Sequence, residues 1–573
     1  MKKFEAVLPI LCLCMSTSCM ADWLDSFDFS LRNKTPEYRS ASIELPDTSQ
    51  YEEPSVEDYN TAVTLNNQAI DAMNSNNNKE AVELFERAVS LCPGSKGFRK
   101  NYLIALNKAK KNKKLLEESL IVLGMEPEDH KTAYLMGLTY LNDLKDNETA
   151  ADYFSYALNL SPEDSNYALA LITSLENTGK YSDTVFELLK QYASKINEPY
   201  PFYLLGLKYL ERDNYSKAIE SFAASKKLDV KGYSYHAYVR AAFYGGKLQG
   251  LESIVKDTIN RFPNDKNINS SKRVYASLKN SSFNLIEHIT LNVSGASSLE
   301  ELNFTVRPVA NFHNHQKVEI TSIDIISKGK KQAVTPNYDN DGALDISIPK
   351  SMWSPKISLE IKYNIELKAL YDAFFDDGIK PDLDKLKSDE KFDLDDSKLV
   401  LLANYIDKIV LEDSDDLNSY QDIFIAKASA AVAKGLNYLE NGVDNSVSWA
   451  LNNSDKCDCT EYSRLLTALC LKKGIPARLV TGFLIKNELI GKETSIGHEW
   501  CEVYMDGRGW TPIDATLQST MHRAYNKNLL NDQIFFEYPS QHERTRIGVH
   551  YTARNSDVAV SIENTYKITN YKK

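Results

Sequence analysis

A multidomain chain is predicted: an N-terminal all-α repeat solenoid, a middle antiparallel β-sandwich and a C-terminal α+β domain. Three observations predict it. Apolar residues recur with helical spacing in blocks of about 34 residues between roughly residues 60 and 265. From Ser282 the period changes to strict alternation, the mark of strands with one buried face. After residue 399 helical patterns return and are followed by short apolar runs and a hairpin signal. The divisions expected are a leader at 1–21, a linker at 22–58, the solenoid at 59–268, the sandwich at 282–370, an acidic linker at 371–398 and the C-terminal domain at 399–573.

The leader reads as a secretory signal, with Lys2 and Lys3 before the apolar stretch Ala6 to Met15. Glu5 and Pro9 depart from the usual pattern, and the run is too short to span a bilayer. Ser16-Thr17-Ser18-Cys19 resembles a relaxed bacterial lipoprotein box, which would attach the protein to a membrane through lipidated Cys19. Cleavage after Ala21 is the other route. Both imply export, to the periplasm or cell envelope of a bacterium or into the medium.

Composition bounds the rest. A 43% hydrophobic content is globular, and a net charge of −12 argues against a nucleic-acid partner. Acidic clusters at Asp393-Leu394-Asp395-Asp396 and Asp413-Ser414-Asp415-Asp416 read as solvated loops. Of 8 cysteines, three lie in the leader, and Cys92, Cys457, Cys459, Cys470 and Cys501 remain, too few for a disulfide scaffold.

The clearest repeat units are Ala81-x-x-x-Phe85-x-x-Ala88 ending at Pro93 and Ala150-x-x-x-Phe154-x-x-Ala157 ending at Pro162. Gly206-x-x-Tyr209 with Ala218-x-x-x-Phe222 gives a third. Small residues let paired helices approach, Phe fills the groove and Pro ends the second helix. This resembles the tetratricopeptide repeat in about six units, and implies a face that receives a protein partner or peptide. A plain spacer is the alternative. In the middle region Ile357, Leu359, Ile361, Tyr363, Ile365 and Leu367 form one alternating strand, and Asn340-Asp341-Gly342 marks a hairpin. His313-Asn314-His315 lacks a third ligand nearby and reads as a polar turn.

The chemistry concentrates at Cys457-Asp458-Cys459-Thr460-Glu461. Asp458 and Glu461 have capping-box spacing before an apolar helix face at Tyr462, Leu465, Leu466 and Leu469, so Cys459 becomes the first helical residue. A thiol there feels the positive helix end, which favours thiolate. His498 opens a predicted strand, Asp506-Gly507-Arg508-Gly509 turns it, and Asp514 returns roughly opposite. A carboxylate so placed orients an imidazole and stabilises its charged form. Zinc on Cys457, Cys459, His498 and Cys501 competes weakly, because strand alternation points His498 and Cys501 apart. A Cys457–Cys501 disulfide would leave Cys459 free.

Cys459-Thr460-Glu461, Gly474-Ile475-Pro476-Ala477-Arg478, Gly482, His498-x-Trp500-x-Glu502-Val503 and Trp510-x-Pro512-x-Asp514-x-Thr516 together resemble the transglutaminase-like branch of the papain-like superfamily. The resemblance covers roughly residues 420–520. It implies Cys459 as nucleophile, His498 as acid and base, and Asp514 as orienter, with no cofactor and no metal. Cys457 stands where the family usually has glycine. The function expected is cysteine-dependent acyl transfer on a peptide or amide, as a peptidase or amidase. A cross-linking transglutaminase or a catalytically silent envelope scaffold are the alternatives. Trp449 is a guess for the second oxyanion donor.

Overall fold

The structure, a computed structural model, describes residues 35–573 apart from 213, 230–231, 341, 377–379, 414–419, 441–444, 522–526, 540–544 and 555. The leader with Cys19 and Ala21, Asp341 of the middle hairpin, and Ser414, Asp415 and Asp416 lie outside the described residues. The chain forms two compact units, Asn33–Val230 and one built on Lys231–Lys573.

Among its described residues the first unit holds five helix pairs: α1 (Val56–Asn74) with α2 (Asn78–Leu91), α3 (Lys96–Lys108) with α4 (Asn112–Met125), α5 (His130–Thr139) with α6 (Asn147–Leu160), α7 (Ser165–Thr178) with α8 (Ser182–Ile196), and α9 (Pro199–Leu210) with α10 (Tyr215–Leu228). This is the tetratricopeptide-type solenoid the repeats predict. The signature residues set the approach of the helices. Ala81, Phe85, Ala88, Ala150, Phe154, Ala157, Ala218 and Phe222 are wholly buried. A Cβ on Gly137 would sit 2.6 Å from the Phe154 ring, and one on Gly206 2.6 Å from Phe222, so each pair closes where glycine faces phenylalanine. Residues 35–54, read from the sequence as linker, lie along this unit. Tyr38 Oη and the Ala41 N–H both donate to Asp152 Oδ1, at 2.8 and 2.9 Å, and the Thr35 N–H donates to Asp183 Oδ2 at 2.8 Å.

The second unit opens with a further pair, α11 (Tyr233–Tyr244) and α12 (Leu251–Arg261), and α13 (Ile268–Ser277). The strands that follow form a sandwich. Its larger sheet has the order β4 (Lys330–Ala333), β3 (Gln316–Ser327), β6 (Lys356–Leu367), β1 (Ser281–Ser294), β13 (Ala559–Lys572) and β8 (Glu493–Thr494). The smaller is β12 (Ile547–Ala553), β2 (Leu299–Val306) and β5 (Leu344–Ser347). Alternating burial along β1 and β6 is the periodicity read in the sequence. The chain's last strands, β12 and β13, pair antiparallel with β2 and β1 and so complete the sandwich. Beneath them Glu287 is wholly buried, its charge met by Arg546 at 2.7 and 3.0 Å and by the Tyr363 hydroxyl at 2.9 Å.

The α+β part sets α14 (Ser397–Asp413), α15 (Tyr420–Gly435), α16 (Val447–Asn452), α17 (Cys459–Lys472) and α18 (Ala515–Met521) with an antiparallel sheet. The sheet order is β10 (Gly509–Ile513), β9 (His498–Met505), β7 (Ala477–Leu484) and β11 (Gln533–Glu537). Phe483, Ile485, Ile534 and Phe536 share one apolar core with the sandwich strands. Within the acidic segment, Phe375 exchanges two 2.8 Å backbone hydrogen bonds with Trp510 at the sheet edge. Asp393 and Asp396, expected as solvated loop, instead satisfy helix ends. Asp396 accepts from the N–H groups of Lys398 and Leu399 at the start of α14, and Asp393 accepts from that of Ser448 in α16.

Candidate active site

The capping box expected at the thiol is formed. The Thr460 N–H donates to Asp458 Oδ1 at 2.9 Å, and Glu461 Oε2 accepts the Asp458 N–H at 2.7 Å. Cys459 is therefore the first residue of α17, half-buried, while the helix is buried throughout from Glu461 to Leu471. Ser463, one turn on, donates to the Glu499 carbonyl at 2.8 Å and ties the helix to β9 beside His498.

β9 and β10 pair in register from Met505–Gly509 to Cys501–Ile513, and Asp514 follows the last pair. There Asp514 Oδ2 lies 2.8 Å from His498 Nε2. Two contacts fix the carboxylate: the Leu517 N–H at 2.9 Å and the Gln533 amide at 3.4 Å. Gln533 carries no signal in the sequence, since it reaches the site from a strand whose pairing has no local mark. The imidazole lines the same cavity as Cys459. Burial works against its charged form, but Asp514 and then Cys459 outweigh that and raise the His498 pKa to about 10. The three expected residues are thus brought together: His498 is bonded to the Asp514 carboxylate and lines one cavity with the Cys459 thiol.

The remaining cysteines are placed for packing. All five described cysteines are free, and the Cys457–Cys501 bridge entertained from the sequence is not formed. Cys457 donates to the Asn453 carbonyl at 3.4 Å, whereas Cys501 donates to that of Ile513 at 3.4 Å. Burial pushes the Cys457 and Cys470 thiols up to about 12, so neither competes as a nucleophile. Among the described residues no group of three or more metal-ligating side chains is assembled.

The other motif residues hold the frame. Arg478 and Glu502 form a buried ion pair at 2.7 Å, with the guanidinium between the rings of Trp510 and Tyr538 at 3.9 and 3.7 Å. Gly482 admits the Trp500 ring, which stacks on His498 with centroids 5.9 Å apart. Trp449 packs against the helical core.

Two cavities meet at His498, and one of them also reaches the Cys459 thiol. One of about 680 Å³ is lined by Cys459, Thr460, Arg464, His498 and Arg546, among others. The other, of about 580 Å³, is lined by Arg273, Lys486, His498 and Thr516, among others. Tyr438, Ile496, Gly497 and His498 border both.

Comparison with known proteins bears on this region. The model of the transglutaminase-like superfamily matches residues 409–515. No curated protein matches the chain. Among solved structures the chain is similar to one described as a “putative cysteine protease” from Cytophaga hutchinsonii, at 13% identity and a TM-score of 0.31, covering 51% of this chain and 98% of that one. It is similar also to YrrB, a TPR protein with an unusual peptide-binding site (16% identity, TM-score 0.30, 34% and 99% covered). A third is PilF of Pseudomonas aeruginosa (14% identity, TM-score 0.29, 38% and 99% covered). The family match spans the helix of Cys459, the strand of His498 and the hairpin that returns Asp514, and this segment of the chain is a transglutaminase-like domain.

Proposed function

We propose that the protein is an exported cysteine-dependent acyl-transfer enzyme that cuts peptide or amide bonds through Cys459, His498 and Asp514. The observation that carries this reading is the position of His498, bonded to a buried carboxylate and lining one cavity with the Cys459 thiol. In the proposed reaction His498 takes the thiol proton of Cys459. The sulfur attacks the carbonyl carbon, and the π electrons move to oxygen. Collapse of the adduct breaks the C–N bond, and the proton of His498 passes to the departing amine. Water activated by the now neutral imidazole then releases the acid and the thiol.

Two cavities that meet at His498, one of them reaching Cys459, offer room for a chain substrate, and the solenoid offers a surface that recruits a protein partner or the substrate itself. Hydrolysis is favoured over transamidation because water needs no further recognition.

Alkylation by iodoacetamide at several pH values tests the reading, with Cys459→Ala and His498→Ala alongside. Rapid alkylation at neutral pH that His498→Ala slows supports catalysis. A rate no faster than that of an unfolded cysteine means a silent scaffold. Incubation with envelope peptides, with and without an added primary amine, separates hydrolysis from cross-linking.

A further inference from the structure

An adduct on Cys459 carries a negative oxygen, and the backbone N–H of Cys459 supplies one donor to it. Acyl transfer draws most of its acceleration from donors fixed where that charge develops, so a second is expected. Trp449 is not among the residues bordering either cavity. Tyr438 borders both, together with His498. Its backbone is fixed to the nucleophile's own segment. The Leu439 N–H donates to the Cys457 carbonyl at 2.8 Å and the Cys457 N–H to the Asn437 carbonyl at 3.3 Å, forming a parallel bridge between Tyr438 and Cys457. The ring is half-buried, 6.3 Å from that of Tyr462 on the helix of Cys459.

We infer that Tyr438 is a catalytic residue, the second oxyanion donor, its phenolic O–H donating to the carbonyl oxygen as the tetrahedral adduct forms on Cys459. The inference rests on the acyl-transfer reading above. No proton leaves the phenol. Burial, and then the charge of Cys459, push its pKa well up, so it stays protonated and serves as donor rather than base.

Two reactions of the same thiol separate this role from structural ones. Acylation by 4-nitrophenyl acetate passes through an oxyanion, whereas alkylation by iodoacetamide does not. In the full chain, Tyr438→Phe should slow the 4-nitrophenolate burst by about a hundredfold and leave the alkylation rate nearly unchanged. An unchanged burst overturns the inference, and so does equal slowing of both reactions. If Phe unsettles the site, Tyr438→Gln, which restores an N–H donor, must acylate faster than Tyr438→Leu. A burst that survives in Cys459→Ala, or is missing from the unsubstituted chain, instead sinks the acyl-transfer reading itself.

Discussion

Asp514 Oδ2 meets His498 Nε2 at 2.8 Å with both side chains almost wholly out of solvent, so the imidazolium is held by a charge that water does not screen. The link to pH has a definite sign. The pKa of His498 is about 10 in the folded protein and about 6.5 unfolded. The stabilisation is therefore complete below about pH 6.5 and is lost as pH rises through about 10. Asp514→Asn keeps an acceptor for the Leu517 N–H but removes the charge. Its urea midpoint should fall furthest below that of the unsubstituted protein at pH 6, with the gap closing toward pH 10. A gap constant across this window would mean that the pairing does not hold the proton. At pH 7 the same variant should be alkylated at Cys459 about a hundredfold more slowly.

Gly482 stands in the sheet with no room for a methyl group. A Cβ there would lie 2.0 Å from the Ile534 carbonyl oxygen and 2.7 Å from the Trp500 ring. Gly482→Ala must push β11 away or turn Trp500 off His498. A loss of about 3 kcal/mol is expected, together with slower alkylation of Cys459. A melt within a degree of the parent would show that the strand yields freely.

The local parts of the site were legible because their geometry is written within a few residues. Asp458 and Glu461 are one helical turn apart, and each completes the other's hydrogen bond. Asp506-Gly507 reverses the chain between His498 and Asp514, so the carboxylate's return follows from strand length alone. The alternation of β6 likewise fixed its buried face. What escaped depends on partners distant in sequence. Gln533 reaches Asp514 only because β11 pairs with β7. The pairing of β13 with β1 joins segments more than 250 residues apart, and nothing in either run names the other. Residues 35–54 have no regular structure of their own, so polar composition read as linker although Tyr38 and Ala41 share one carboxylate oxygen.

The motif positions Arg478 and Glu502 form a buried ion pair in the frame of the site. Both side chains are buried, and the guanidinium is stacked between two aromatic rings. Glu502→Ala strands a buried cation and should cost about 3–5 kcal/mol. Replacing both at once, as Arg478→Met with Glu502→Leu, should cost clearly less than Glu502→Ala alone, because the desolvated charge goes too. Equal losses in the single and double variants would mean that packing on Trp510 and Tyr538, rather than charge, sets the stability.

Asp152 makes the first-unit segment testable without touching the site. Its Oδ1 accepts from Tyr38 Oη and from the Ala41 N–H, and Tyr38 also meets the Tyr181 ring edge-on at 5.4 Å. Asp152→Ala removes the one oxygen that accepts both bonds, which should cost roughly 1–3 kcal/mol. Because the helix keeps its own hydrogen bonds, the loss should appear as release of residues 35–54 rather than as melting of α6. Arg39, between the two anchored residues, is exposed and reports this directly. Trypsin should cut after Arg39 severalfold faster in Asp152→Ala, with Tyr38→Phe intermediate because it loses one bond of the two. Equal cutting rates in all three proteins would mean that the segment does not depend on this carboxylate.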